Sequence, residues 1–361
     1  MSGPLIQLVS QGIQDVYLSG GNNTQSNFRN LFSKSVNFSQ AVKPLEIVGK
    51  ITNGSLTTIE IQKKGDIVNH VWFESSTNII DALSGSTFEL YIGGKLIDSQ
   101  AFEYCADIWQ VYLAETKVKS TVINNKVAFS DTTFFPLHFF FNDNNQFLPL
   151  VNIPYNSVEI RVRWGSSISN DIKCYANYIF LDTNERLQFI NKDIDMVVTQ
   201  VQKLEFNKTD GDVTLDISSL NHPVKSLFWG YETKTDELDD DYITFDSATI
   251  LLNGLPLLEN MSPSYFHTAQ GYYNTQNAMV NFVPSVGCPF YTRFYMYSFA
   301  KDTTDFSSSG SCNFSRLDSA QIRLKNLTRI AGRATDTLYV YALNYNVLKF
   351  KAGLSGILFS N

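Results

Sequence analysis

The two halves of this chain repeat one another in order, which limits the fold more than any other feature of the sequence. Thr58-Ile-Glu-Ile-Gln-Lys-Lys-Gly-Asp-Ile-Val-Asn-His-Val-Trp-Phe73 lies over Thr214-Leu-Asp-Ile-Ser-Ser-Leu-Asn-His-Pro-Val-Lys-Ser-Leu-Phe-Trp229 without a gap, at an offset of 156. Leu90-Tyr-Ile-Gly-Gly94 matches Ile250-Leu-Leu-Asn-Gly254 at 160. Tyr155-Asn-Ser-Val-Glu-Ile-Arg-Val-Arg163 matches Leu317-Asp-Ser-Ala-Gln-Ile-Arg-Leu-Lys325 at 162, and Asn177-Tyr178 matches Asn344-Tyr345 at 167. The offset only creeps upward, as it would for one unit used twice with longer loops in the second copy. A period this long means paired domains, not a solenoid of 20–50-residue repeats.

The repeated unit is β in character. Alternation is clean at Thr57-Thr-Ile-Glu-Ile61 and at Val158-Glu-Ile-Arg-Val-Arg163, the period-2 pattern of a half-buried strand. Strand-like segments in the first half are expected at 45–51, 56–62, 67–74, 87–92, 120–128, 134–141, 157–164 and 173–181. One helical stretch, Ala101–Glu115, interrupts them inside a long connection. In the second half, long connections are expected near 255–290 and 300–315, and the final strand, Thr337–Phe350, is apolar on both faces, as where two layers enclose it. With 27 Phe and 18 Tyr among 361 residues, aromatic side chains suited to pleated surfaces abound. Eight strands per unit with long loops at one end predict an all-β protein of two tandem eight-stranded jelly-roll β-sandwiches, a double jelly roll with short helices in its loops. The domains expected are an N-terminal arm over 1–26, a first roll over 27–185 and a second over 186–361. The hinge between them falls at about 181–192, where Asp182 is placed to cap a short helix and Glu185 to complete a capping box, with Arg186 following.

A formal charge of −7 argues against direct nucleic-acid binding by the chain as a whole. The N-terminus has no basic, apolar signal sequence, and no apolar run reaches the ~18 residues that cross a bilayer. A soluble protein made in the cytosol is expected.

The sequence carries none of the usual catalytic or metal-binding patterns. His70, His138, His222 and His267 fall in no metal-ligand spacing, and a lone His in a strand is usually a packing residue. Gly94-Lys95 is followed by Leu96, which ends a phosphate-loop reading. Cys105, Cys174, Cys288 and Cys312 are scattered, as buried small hydrophobes are. The acidic run Asp236–Asp241 reads as a solvated loop in preference to a calcium site. Seven N-x-[ST] sequons begin at Asn22, Asn37, Asn53, Asn207, Asn260, Asn313 and Asn326; without a secretion signal, glycosylation is not expected. No cofactor and no metal is expected, and the chain reads as a structural protein, not an enzyme.

Several segments resemble the double jelly-roll major capsid proteins of nucleocytoplasmic large DNA viruses, of the chlorella-virus and iridovirus type. In the first half they are Gly12-Ile-Gln-Asp-Val-Tyr-Leu-Ser-Gly20, Lys34-Ser-Val-Asn-Phe38, Phe88-Glu-Leu-Tyr-Ile-Gly-Gly-Lys-Leu-Ile-Asp98, Phe147-Leu-Pro-Leu-Val151 and Tyr178-Ile-Phe-Leu-Asp-Thr-Asn-Glu-Arg186. In the second they are Asn221-His-Pro-Val-Lys225, Ser309-Gly-Ser-Cys-Asn-Phe-Ser-Arg316 and Tyr341-Ala-Leu-Asn-Tyr-Asn-Val-Leu348. After Gly20 the chain departs from the family's usual arm.

The resemblance implies a major capsid protein: a homotrimer forming a pseudo-hexagonal capsomer that tiles an icosahedral shell. It implies contacts with neighbouring capsomers, minor capsid and penton proteins and an inner membrane. It further implies a place in the virion after assembly in the host cytoplasm. Asp15 and Tyr17 of the arm and Arg316 are the candidate arm and interface residues. A poxvirus-type scaffold trimer of the same fold, a two-roll glycan amidase and a jelly-roll lectin are the alternatives.

Overall fold

The computed structural model describes residues 36–76, 78–116, 119, 133–142, 146–165, 171–207, 210–231, 243–276, 294–329 and 337–359. The chain divides into two compact units, 1–37 and 38–361. All that follows concerns the second.

Its first half contains β1 (Phe38–Leu45), β2 (Ile47–Val48), β3 (Leu56–Glu60), β4 (Ile67–Glu74), β5 (Thr87–Ile92), β6 (Lys95–Ala101), β7 (Phe134–Pro136), β8 (Leu148–Pro149), β9 (Val158–Arg163) and β10 (Lys173–Leu181). Its second half contains β11 (Ile194–Asn207), β12 (Gly211–Asp216), β13 (Pro223–Gly230), β14 (Ile243–Thr244), β15 (Ser247–Leu252), β16 (Leu255–Met261), β17 (Phe294–Ser298), β18 (Cys312–Asn313), β19 (Ala320–Arg329), β20 (Thr337–Lys351) and β21 (Leu354–Ile357).

Four antiparallel sheets result among the described residues. The first half forms β1-β10-β4-β7 and β2-β3-β9-β5-β6; the second forms β11-β20-β13-β17 and β12-β19-β15-β16. Apart from the edge strand β2 and the short strands β14 and β21, which have no counterpart in the other half, the order is the same in both halves, so the duplication in the sequence is a duplication of topology. It extends to a defect. The β4–β10 register shifts beside Asn69 and the β13–β20 register shifts beside Lys225, and these residues stand 156 apart like their flanking strands. The register pairs Tyr178 with Val68 and Asn344 with Val224, so Tyr178 corresponds to Asn344, one residue away from the match drawn from sequence.

Each roll closes over aromatic residues from facing sheets. Phe73 of β4 meets Phe88 of β5 at 5.9 Å, and Phe88 meets Phe135 of β7 at 5.5 Å. In the second roll Trp229 of β13 packs on Phe266 at 5.0 Å. Burying each such ring contributes about 1.5–3 kcal/mol. Trp164 Nε1 donates to Thr57 Oγ1 at 2.8 Å, whereas Trp229 Nε1 is buried without a hydrogen-bond partner.

Several expectations need correction. Strands β1 and β6 were not foreseen, and the expected 45–51 strand is only the two-residue β2 and the end of β1. The stretch 255–261, expected as loop, is β16. Both missed hairpins turn on residues of positive φ: Gly93 and Gly94 between β5 and β6, Asn253 and Gly254 between β15 and β16. Positive φ at both central residues is what a two-residue hairpin needs to match strand twist. The 134–141 strand stops at Pro136, and Phe140–Asn142 forms a 3-10 turn. The expected 120–128 strand lies outside the described residues. The helical stretch does form, as a π-helix over Tyr104–Leu113.

Candidate functional site

The two rolls meet along a junction in which β6 and the helix after it cover the outer face of the β11-β20-β13-β17 sheet. One hydrophobic core runs through the junction: Tyr104, Tyr112 and Phe88 of the first roll share it with Phe228, Phe294 and Tyr341 of the second. Tyr104 packs at a tilt against Tyr341 at 5.7 Å, and Tyr112 likewise against Phe228 at 5.7 Å. Tyr112 also donates its hydroxyl to the Phe294 carbonyl at 2.6 Å. This shared core explains why 38–361 is one compact unit and not two.

At the edge of the junction, Asp98 of β6 is buried against β11. Its Oδ1 accepts the Val201 N–H at 2.9 Å and the Ser99 N–H at 3.0 Å; its Oδ2 accepts from Gln100 Nε2 at 2.7 Å. Three donors favour the carboxylate, but removal from water opposes it more strongly. Burial therefore raises the Asp98 pKa to about 7. Gln200 donates to the Ile97 carbonyl beside it. A cavity of about 390 Å³ lies alongside, lined by Lys95, Asp98, Gln200, Asn344, Asn346 and Phe359 among others. Gln100 Nε2 also donates to the His138 carbonyl at 2.8 Å. His138 lies flat on Trp109 at 3.6 Å, and burial lowers its pKa to about 3. As expected of a lone strand-region histidine, it is a packing residue.

The hinge is a helix over Thr183–Asn191 with Asp182 as its N-cap. Asp182 Oδ1 accepts only the Thr183 N–H, at 2.7 Å, and Glu185 does not return the bond to Asp182, so the expected capping box is not formed. Its place is taken by Asp66. Arg186 Nε lies 3.0 Å from Asp66 Oδ1, and Asp66 Oδ2 accepts the Leu181 N–H at 2.9 Å. At the far end Asn152 donates to the Phe189 carbonyl, and Phe189 meets Phe147 edge-on at 5.7 Å. The linker is thus bolted to the first roll at both ends.

Replacing Asp182 with Ala should therefore cost only about 0.5 kcal/mol, the low end for a lost cap. Asp66→Ala should cost about 1–3 kcal/mol, because it orphans the Leu181 N–H and frees Arg186. Urea denaturation of the two variants checks the ranking, and the reverse order would return the hinge role to Asp182.

Arg316 is exposed at the end of a 3-10 turn, Phe314–Arg316. Its motif builds a corner: Asn313 Oδ1 accepts the Ser315 N–H at 3.1 Å, Ser315 Oγ accepts the His222 N–H at 2.8 Å, and Phe314 is buried. Gly310 has φ +147, and a Cβ there would come within 2.6 Å of the Phe299 carbonyl oxygen. The motif's specificity is therefore one of backbone shape. Asp15, Tyr17, the acidic run 236–241 and Cys288 lie outside the described residues. Cys105, Cys174 and Cys312 are free thiols, and burial raises the pKa of each.

Comparison with known proteins bears on all of this. Residues 26–182 match the family described as "Major capsid protein N-terminus", and residues 185–356 match "Large eukaryotic DNA virus major capsid protein". The chain is 28% identical to the major capsid protein of Pyramimonas orientalis virus and 25% identical to that of Paramecium bursaria Chlorella virus 1, with 100% of both chains covered in each case. Among solved structures, the PBCV-1 virus capsid matches with a TM-score of 0.79 at 21% identity, over 93% of this chain and 100% of that one. The Faustovirus major capsid protein matches at 0.68 and 11% identity, over 94% of each. These two likenesses carry the fold, a double jelly roll. With both halves matched in order, the chain belongs to the major capsid proteins of the large eukaryotic DNA viruses.

Proposed function

We propose that three copies of this chain close into a ring-shaped capsomer that tiles an icosahedral shell, and that its role there is structural, without catalysis. The observation that supports this reading is the common strand order of the main sheets of the two rolls, with the first roll's core continuing onto one face of the second roll's sheet. Three copies of a duplicated unit present six similar rolls around one axis, an outline that packs in hexagonal arrays. Heterologous contacts that repeat through 120° close after three subunits. In the shell the capsomer would meet its neighbours, minor capsid and penton proteins and an underlying membrane, after assembly in the host cytoplasm.

Mass photometry of the purified chain tests the first step. The expected species has three times the 40.8 kDa chain mass. A chain that stays monomeric at micromolar concentration would overturn the reading, and product release from glycopeptides would overturn the structural role.

A further inference from the structure

The Asp98 carboxyl, only 4% exposed, is held by hydrogen-bond donors without a cation. Its Oδ1 accepts two backbone N–H groups and its Oδ2 accepts one N–H from Gln100, which leaves an acceptor position on Oδ2 unused. Among the described residues no lysine or arginine pairs with it; burial and these three donors alone act on its proton. Three donors suit a charged carboxylate, yet nothing supplies the counter-charge. As a neutral acid Asp98 would need an acceptor for its hydroxyl proton, and the amide acceptors nearby are already engaged. Gln200 Oε1 accepts from Asn346 Nδ2 at 2.8 Å, and Asn344 Oδ1 accepts from Gln202 Nε2 at 2.9 Å. Gln202 Oε1 accepts the Asn221 N–H at 3.0 Å, and Asn346 Oδ1 the Val347 N–H at 2.8 Å.

The cavity of about 390 Å³ beside Asp98 is large enough for a small organic molecule. Apart from the amides, which bond to one another and to backbone, its wall is apolar: Leu96, Ile97, Val201, Ile357 and Phe359. Lys95 also lines it, but its side chain is exposed and makes no ion pair with Asp98. The remaining titratable groups around the carboxyl leave its charge unmet. Burial, with Asp98 and Glu103 adding to it, pushes the Cys105 thiol well above its usual pKa, and burial holds His138 near 3, so both are neutral around pH 7. Glu103 accepts the Gly85 N–H at 3.0 Å, and Lys203 of β11 lies over the rings of Tyr339 and Tyr341.

We infer that this cavity binds one small aliphatic primary ammonium ion, its charged head against the Asp98 carboxylate and its chain along Leu96, Val201 and Phe359. The ion supplies the counter-charge that three N–H donors cannot, and its hydrocarbon covers an apolar wall. Bound there, it ties β6 to β11 and to the C-terminal segment, and so strengthens the junction between the rolls. The cavity lies within a single chain, so the inference stands whether or not three copies assemble. Proton and ammonium compete for the same carboxylate. Asp98 takes up its proton at about pH 7, and an alkylamine loses its own near about pH 10.4. Affinity is therefore full between these values and falls about tenfold for each pH unit below the first.

Titration calorimetry of the full chain with n-pentylammonium chloride tests this, with n-pentanol and ammonium chloride as the apolar and charged halves of the ligand. The alkylammonium should bind saturably at pH 8, one ion per chain, and neither half should bind at the same millimolar concentrations. At pH 6, where Asp98 begins protonated, binding should be about tenfold weaker than at pH 8 and should release about one proton per ion, read from buffers of different ionisation enthalpy. Asp98→Asn should abolish binding. Should that variant fail to fold, the proton released by the parent at pH 6 decides the matter. Absence of saturable binding at pH 8 overturns the inference. So does binding of n-pentanol as tight as that of the ammonium, binding at pH 6 without proton release, or a folded Asp98→Asn chain that binds as the parent does.

Discussion

Replacing Tyr341 with Ala is expected to destabilise both rolls at once, by about 3–5 kcal/mol, the usual cost of truncating a large buried ring. Tyr341 belongs to β20 of the second roll, but its side chain points into the first. It lies 5.7 Å from Tyr104 and 5.9 Å from Phe294, with Lys203 Nζ 5.6 Å above its ring. The cavity left behind would open where the first roll's core meets one face of the second roll's sheet, so neither side can relax around it without the other. Calorimetry at matched protein concentration should show one transition for the parent and one, at lower temperature, for the variant. Two separated transitions in the parent, with only the second-roll transition displaced by the substitution, would mean that the rolls are independent domains.

The second large effect is hidden in the parent chain and appears only when one of two opposed groups is removed. Asp98, with its pKa raised to about 7 in the folded chain, holds a proton there that the unfolded chain has released above about pH 4. Its contribution to stability is full below the unfolded value and is lost as pH rises through about 7. His138 behaves in the opposite sense. Its folded pKa of about 3 lies below the unfolded value of about 6.5, so its contribution is full above that value and is lost as pH falls. Between about pH 4 and 6.5 the two slopes, each about 1.4 kcal/mol per pH unit, cancel.

Asp98→Asn leaves His138 unopposed, and the variant should lose stability relative to the parent as pH falls below 6.5. His138→Phe, which keeps a ring on Trp109, leaves Asp98 unopposed. That variant should lose stability relative to the parent as pH rises from 4 to 6.5, by about 3 kcal/mol in total. Urea midpoints at pH 4.5, 5.5, 6.5 and 8 test both. Profiles parallel to the parent's would show that neither group is buried as described.

Much of this architecture could be read from the chain. The alternation of Thr57–Ile61 and Val158–Arg163 identified β3 and β9, and the 156-residue echo paired β4 with β13 down to the bulge at Asn69 and Lys225. The strands that were missed share a reason. β1, β6 and β16 are sheet edges, where one face meets solvent or another roll and the hydrophobic alternation is broken; β1 is Phe-Ser-Gln-Ala-Val-Lys-Pro-Leu. A better signal was present in the turns, since Gly93-Gly94 and Asn253-Gly254 mark two-residue hairpins. At the hinge, Asp182 and Arg186 were legible as a cap and a following cation, but Asp66 was not. It lies more than a hundred residues upstream, and nothing local says that its carboxylate ties the linker down.

The sequence by itself determined the all-β unit and its duplication, because period-2 patterning and repeat offsets are properties of short stretches. Only the tertiary structure decided which of two matching faces is buried. Trp72, Phe134 and Tyr175 carry the same local code as Phe228, Phe294 and Tyr341: an aromatic patch on the outer side of the same sheet. A strand's pattern states that a face is apolar, but what covers it depends on where the chain goes next. Here the first roll's β6 and its helix reach the second roll's sheet, where Tyr112 packs near Phe228 and donates its hydroxyl to the Phe294 carbonyl.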